Sequence, residues 1–454
     1  MTGLLTSRPL VILVYPQVEH EKDYLYHWMP FSLLTLAKPL LDDDLAEVVI
    51  FDGNQRPVSQ WPGFLDEHLD RACCIGISIM TGGAQIRHAL DMAAVARERS
   101  SCPPLVFGGP HVNVLAEQTA RHPLVDVVLE GPGQTSMPAF VDAELHGRGW
   151  DSVPGLLSID GNRTIRGPVN PPRTGNLGAY PWHLLTVADY IRDDPTVAPR
   201  TLNFVSSQGC VYKCQFCYEL TYQRKYSAME AGALIDDLED LTARFDISGV
   251  KFYDADWFVN VRRAVEFCRI KAERGVGLSW AASINPNDVL RARKQKLDLL
   301  PAISESGCRR LLMGIESGSD RVLAEVVRKD ITRAHALDVA ADIAAHGIMG
   351  AYTFIVGFPD ETLDEIEETY SLIEQISTLE PRPETRVHLF GPFPGTPLFE
   401  QALARGFSAP TTLEAWADFD YYDSQTPWTS AEMVARARSH TRLVKAPGAA
   451  AGAA

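Results

Sequence analysis

Cys210, Cys214 and Cys217 lie within S-S-Q-G-C-V-Y-K-C-Q-F-C-Y-E, with three residues between the first two and two between the last two. Three thiolates so spaced fit on one tight loop and can bind three irons of a cubane cluster, leaving the fourth iron without a protein ligand and open to a small molecule. The competing chemistry is a structural zinc site. Zinc ordinarily closes with a fourth ligand at a matching spacing, and neither a second cysteine pair nor an H-x3-H partner follows nearby. Cys73, Cys74, Cys102, Cys268 and Cys308 stand in apolar strand or helix contexts and read as core thiols.

The elements that must position this loop are legible as alternating apolar runs and helical patterns. In residues 9–150, P-L-V-I-L-V-Y-P, A-E-V-V-I-F-D, A-C-C-I-G-I-S-I-M, P-P-L-V-F-G-G-P and V-D-V-V-L-E-G read as buried strands separated by helices. That alternation predicts a parallel, Rossmann-like sheet with ligand at the carboxyl ends of its strands. Residues 151–197 read as a linker carrying a small hairpin at Asp160-Gly161-Asn162. From 198 to 400 the alternation resumes through six strand-helix repeats, which predicts a partial (β/α)6 barrel with its chemistry on the strand ends. Residues 401–454 read as a helical segment followed by the low-complexity tail K-A-P-G-A-A-A-G-A-A.

Composition narrows the function classes. The chain has 454 residues, 46% hydrophobic and 22% charged, with 42 Lys plus Arg against 58 Asp plus Glu and a formal net charge of −16. Such a field repels a phosphate backbone, so nucleic acid is not expected as a partner. No apolar run reaches the eighteen or so residues of a membrane helix, and the start reads as no signal peptide; a cytoplasmic protein with reduced thiols is expected.

With an aromatic before its last cysteine, the C-x3-C-x2-C loop resembles the radical S-adenosylmethionine (SAM) superfamily. The resemblance implies a 4Fe-4S cluster on Cys210, Cys214 and Cys217, SAM on the open iron, and an external electron donor that drives cleavage to a 5'-deoxyadenosyl radical. Further segments match in order. Asp254 and Asp256 in K-F-Y-D-A-D-W-F end a strand where the family places groups facing SAM, Glu316 and Ser317 lie in M-G-I-E-S-G-S-D, and Gly357 shapes F-I-V-G-F-P-D-E-T. Tyr218 and Glu219, after the last cysteine, are candidates for moving a proton, with His388 on the last barrel strand a third. Arg224 is a candidate for holding a carboxylate of SAM.

The N-terminal half resembles the cobalamin-binding domain of radical SAM enzymes, through G-I-S-I-M-T-G-G-A, L-V-F-G-G-P-H-V-N-V and D-V-V-L-E-G-P-G-Q. No D-x-H-x-x-G loop signals a lower-ligand histidine, and His111 reads as a turn residue. Val112-Asn113 and Pro132 depart from the relatives' loops, which weighs against resident cobalamin. Glu19, His20, Glu21, Asp23 and His27 would offer carboxylates and rings to an amino sugar. These features resemble the radical SAM diol dehydratases of apramycin-type aminoglycoside biosynthesis. That likeness implies a paromamine-like amino-sugar substrate, dehydration of a 1,2-diol to a keto sugar, and an NADPH-dependent dehydrogenase partner that reduces it. A cobalamin-dependent radical SAM methyltransferase is the alternative.

Overall fold

The computed structural model describes residues 8–18, 28–170, 177–222, 225–380, 383–419 and 426–444. The chain divides into two compact units. The first comprises Met1–Gly175, Tyr180–Asp189 and Ala409–Tyr421, and the second Asn176–Ala179, Tyr190–Ser408 and Tyr422–Ala454.

In the first unit, strand β1 (Leu10–Tyr15) has all six residues buried, as L-V-I-L-V-Y requires of a central strand covered on both faces. Helix α1 (Phe31–Asp42) leads to β2 (Glu47–Asp52), and α2 (Trp61–His68) to β3 (Ala72–Ser78). Then follow α3 (Ala84–Arg97), β4 (Leu105–Gly108), α4 (Pro110–Ala120), β5 (Val127–Leu129) and α5 (Gly133–His146). The hairpin of β6 (Leu156–Asp160) and β7 (Arg163–Arg166) forms where Gly161 turns the chain at positive φ. The sheet order is β2-β1-β3-β4-β5-β6-β7, parallel through β5. The hairpin extends this sheet antiparallel beside β5, so part of the segment read as linker belongs to the first unit. In the order 2-1-3-4-5 the connections reverse direction between β1 and β3, and the crevice outside those strand ends is the place such sheets offer a ligand.

The second unit is built on β8 (Arg192–Asp194), β9 (Ala198–Phe204), the two-residue pair β10 (Ser207–Gln208) and β11 (Ser227–Ala228), β12 (Gly249–Phe252), β13 (Ser279–Ile284), β14 (Cys308–Glu316), β15 (Met349–Val356) and β16 (Glu384–Leu389). Its large sheet runs β16-β15-β14-β13-β12-β9-β8; six strands are parallel and β8 is an antiparallel edge. This is the partial (β/α)6 barrel. The helices are α6 (Glu219–Tyr222), α7 (Ala231–Phe245), α8 (Val261–Glu273), α9 (Pro286–Lys294), α10 (Leu299–Glu305), α11 (Arg333–Ala345), α12 (Leu363–Ile376) and α13 (Pro397–Ala404). A π-helical turn, Val322–Val327, follows β14. Trp257, Trp280, Phe252, Phe258 and Phe267 pack ring against ring inside this unit, with centroids 4.8–6.3 Å apart. Such a dry aromatic cluster makes the strands a rigid support for side chains at their ends.

Residues 401–454 do not act as one segment. Helix α14 (Leu413–Ala417) lies in the first unit and α15 (Ala431–Ser439) in the second. Among the described residues no helix is long and apolar enough to cross a membrane.

Candidate functional site

The cysteine loop leaves β9 through β10 and enters α6 at Glu219. Its three thiols are half-buried and no disulfide uses them. Burial pushes the Cys210 and Cys217 thiols up to about 12 and raises Cys214 as well. A trio of desolvated thiols stays ionised only beside a strong positive charge, which is what metal ligation provides. Among the described residues no three His, Cys, Asp or Glu side chains converge on a place for a single ion. A cubane asks instead for one thiolate on each of three irons, and the donor set fits that demand. Backbone N–H groups serve two of the sulfurs, that of Tyr212 facing Cys210 and that of Glu219 facing Cys217.

Three elements hold the loop. The Gln215 amide donates to Val327 O of the π-turn at 3.0 Å, and the Leu398 amide of α13 donates to Gln215 O at 3.3 Å. On the other arm the Tyr212 hydroxyl donates to Asp288 Oδ1 on α9 at 2.6 Å. Asp288 is wholly buried, and its second oxygen accepts the Asn285 amide in a capping box. Arg291 binds both the carboxylate and the phenol and donates to Phe258 O and Val259 O.

Of the polar groups expected to face SAM, Asp254 is 3% exposed and its carboxylate is engaged. It accepts the Ser206 amide and hydroxyl at 3.1 Å and also the Ser207 hydroxyl. Ser206 in turn accepts Trp257 Nε1 and Arg263 Nη2, so Asp254 anchors the strand end that launches the cysteine loop. Asp256 is different. It is 4% exposed, with one oxygen accepting the Phe258 amide, and burial together with neighbouring Asp288 holds its carboxyl far above the usual carboxylate range.

Glu316 sits at φ +77° and pairs with Lys329 at 2.9 Å, both side chains nearly inaccessible. A non-glycine residue held in that region marks a site over-determined by its surroundings. Lys329, Glu316 and Asp256 all act electrostatically on Cys214, and Asp256 on Cys210. The structure therefore gathers Asp256, Glu316 and the cysteines into one charged neighbourhood. Ser317 is turned to other work: its hydroxyl meets Thr369 of α12 and accepts the Ser319 amide.

Gly357, at φ +83°, donates to Glu361 Oε2 at 2.6 Å and accepts Trp428 Nε1 at 2.9 Å. Tyr218 is 41% exposed, its ring 5.5 Å from Tyr222 and 5.8 Å from Phe393. His388, half-buried on β16 opposite Ile355, has its ring pushed down to about 4 by burial. Arg224 and the stretch from Glu19 to His27 lie outside the described residues. Tyr212, Asp288, Arg291 and Lys329 were not signalled by the sequence. The R-K-D run and the capping pattern N-P-N-D were visible, but neither says which loop it meets.

A second cluster of polar groups lies in the first unit, where β3 and β4 end. Thr81 Oγ1 and both ring nitrogens of His111 are buried with no hydrogen-bond partner, and burial drives the His111 ring down to about 3. Gly83 opens α3 at φ +86°, and a Cβ there would stand in open space. Unsatisfied donors and acceptors, with an uncrowded glycine at the same parallel strand ends, fit a large polar cofactor. The two departures noted above are linked: Asn113 Oδ1 accepts the Gly131 amide at 2.6 Å, and Asn170 Nδ2 donates to Glu130 O, Pro132 O and Ser136 Oγ. Pro132 serves as the N-cap of α5. The altered loop is thus firmly held.

Comparison with known proteins agrees with this geometry. Residues 204–373 match the radical SAM superfamily model, and residues 24–141 match the B12 binding domain model. The altered loops make cobalamin possible but doubtful; the second match is to a domain that binds it and weighs the other way. The chain is 30% identical over 336 residues to an uncharacterized methyltransferase, PH0819, of Pyrococcus horikoshii, covering 73% of this chain and 69% of that one. It is 24% identical to the anaerobic magnesium-protoporphyrin IX monomethyl ester cyclase of Rubrivivax gelatinosus, covering 76% of this chain and 62% of the cyclase. Among solved structures, it resembles the radical SAM methyltransferase TsrM of Kitasatospora setae, determined with cobalamin and a [4Fe-4S] cluster bound. The TM-score is 0.69 at 19% identity, covering 89% of this chain and 76% of that chain.

Proposed function

We infer that this chain, which belongs to the radical SAM superfamily and carries a B12-binding domain ahead of its barrel, is a cobalamin-dependent radical SAM methyltransferase acting on a small molecule. The observation that carries this reading is the succession of the two matches along one chain, in a protein whose 30% identical relative bears a methyltransferase name. Of the three proteins compared above, two are named methyltransferases, one a cyclase and none a diol dehydratase, which favours methyl transfer over dehydration of an amino sugar.

When bound, the cluster and SAM supply one-electron chemistry and cobalamin carries a methyl group. Within the protein, Cys210, Cys214 and Cys217 would hold the cluster. Lys329 offsets part of the negative charge that the thiolates and Glu316 bring together. The Glu361 carboxylate fixes the Gly357 and Phe358 amides, and so the shape of the turn beside β15. In the first unit, Thr81 and His111 would offer hydrogen bonds to cobalamin, and the uncrowded backbone at Gly83 would give it room. Tyr218 and Glu219, which follow the last ligand in sequence, would be the candidates to hold a proton during turnover.

The test is anaerobic reconstitution followed by two measurements on the same sample: cobalamin retained per chain, and the fate of SAM labelled in its methyl group. Near-stoichiometric cobalamin with the label appearing in an added acceptor supports the reading. Deoxyadenosine formed with paromamine by a cobalamin-free chain would overturn it in favour of the dehydratase.

A further inference from the structure

We propose that Tyr212 is a positioning residue whose side chain locks the arc between Cys210 and Cys214, so that its own backbone N–H stays aimed at the Cys210 sulfur and holds the cluster's reduction potential up. This rests on the cluster assignment made above and adds to it a residue that ligates nothing.

The argument begins with the anchor. The Tyr212 phenol donates to Asp288 Oδ1 at 2.6 Å and receives Arg291 Nη1 at 3.1 Å. Neither partner is free to follow the loop. Asp288 is fully buried and fixed into the first turn of α9 by the Asn285 amide, and Arg291 Nη2 is tied to Phe258 O at 3.0 Å and Val259 O at 2.8 Å. A hydrogen bond to a buried, charged partner of this kind belongs to the strong class, shorter than a neutral one and costly to break. The backbone bonds through Val327 and Leu398 hold the loop at Gln215, on the far side of Cys214. Tyr212 is the side-chain anchor of the near arc.

The consequence follows from what that arc carries. The Tyr212 amide faces the Cys210 sulfur. An N–H directed at a cluster-bound sulfur stabilises the more negative, reduced cluster, and hydrogen bonds to the sulfurs are among the levers that set cluster potentials. The phenol, anchored at the far end of the same side chain, restrains the Tyr212 Cα and so where that N–H points. A phenol so engaged is also unavailable as a proton donor to substrate, which separates its role from that of Tyr218.

The experiment is a potentiometric titration, followed by electron paramagnetic resonance, of the reconstituted full chain and its Tyr212→Phe variant, with the exchangeable-deuteron coupling to the reduced cluster measured after transfer to heavy water. Iron and sulfide per chain are expected to be unchanged in the variant. At the potential where the wild type is half reduced, its reduced-to-oxidised ratio should fall by about threefold or more, and one deuteron coupling should weaken. A cluster-loaded variant with wild-type potential and coupling overturns the proposal while leaving the cluster assignment intact. A wild-type chain that takes up no cluster overturns both. Should the Phe variant lose iron, Asp288→Asn keeps an oxygen to accept the phenol. Asp288→Ala, which removes that acceptor, is then compared with Asp288→Asn: coupling weakened in Asp288→Ala and kept in Asp288→Asn supports the anchor, and wild-type coupling in Asp288→Ala overturns it.

Discussion

Glu361 illustrates how a single side chain here couples protonation to the fold. Its carboxyl accepts the Gly357 and Phe358 amides, which favour the charged form, yet burial outweighs them and pushes its pKa up to about 7 from an ordinary 4.5. Because the folded value is raised, the stabilisation from holding the proton is complete below about pH 4.5 and is lost as the pH rises through 7. The pH-dependent part amounts to on the order of 3 kcal/mol. Glu361→Gln, which is neutral throughout, should flatten the fall in unfolding temperature between pH 5 and pH 8; an unchanged slope would reject the assignment. At the ligands the expectation is starker. Cys214→Ala removes one of three thiolates, so iron per chain, the visible absorbance of the cluster and cleavage of SAM should all collapse; a variant that keeps its iron would remove Cys214 from the ligand set, and a zinc-loaded, iron-free wild type with intact function would return the loop to a structural zinc role.

Element packing accounts for Gly318, just past the end of β14. A Cβ there would collide with the Glu368 and Thr369 backbone of α12, and the Gly318 amide donates to Thr369 Oγ1 at 2.8 Å. Strand end and helix backbone touch because no side chain intervenes. Gly318→Ala should therefore destabilise the second unit by about 1–3 kcal/mol, an overpacking cost, and depress SAM affinity by shifting the strand end that carries Glu316; denaturant melts and SAM titration check both halves. This contact also marks the limit of what the sequence discloses. Strands such as L-V-I-L-V-Y are legible because burial on both faces demands an unbroken apolar run, and the cysteine loop is legible because its spacing is the chemistry. The Tyr212 to Asp288 bond spans 76 positions and the Lys329 to Glu316 pair depends on a π-turn. Neither has a local signature, since both follow from how elements stack and not from periodicity. The proline in E-G-P-G-Q misled for a related reason. Read alone it subtracts a donor, whereas in the fold Asn113 and Asn170 hold the same loop from two other segments.

At the scale of the whole molecule, the chain order of the two units matters more than their boundary. The first unit is completed by Ala409–Tyr421, which comes after nearly all of the second unit has been traversed. Trp416 is 1% exposed in the first unit, its carbonyl accepts the Gly83 amide at 3.0 Å, and its ring stands 5.8 Å from His111 and 5.2 Å from Phe419. Arg87 with Asp418 and His122 with Glu414 flank it. A large aromatic so enclosed is core, and its removal should cost about 3–5 kcal/mol. The loss should fall on the unit to which Trp416 belongs by packing and not on the unit it follows in sequence. In calorimetry of Trp416→Ala, the transition that added cobalamin raises should move down, because a ligand stabilises only the unit that binds it. The transition that iron loading raises should stay in place. If only the iron-sensitive transition moved, residues 409–421 would belong energetically to the barrel. If the cobalamin-sensitive transition moves as argued, the strand end at Gly83 and the buried His111 owe their arrangement to a segment more than 290 positions further along the chain.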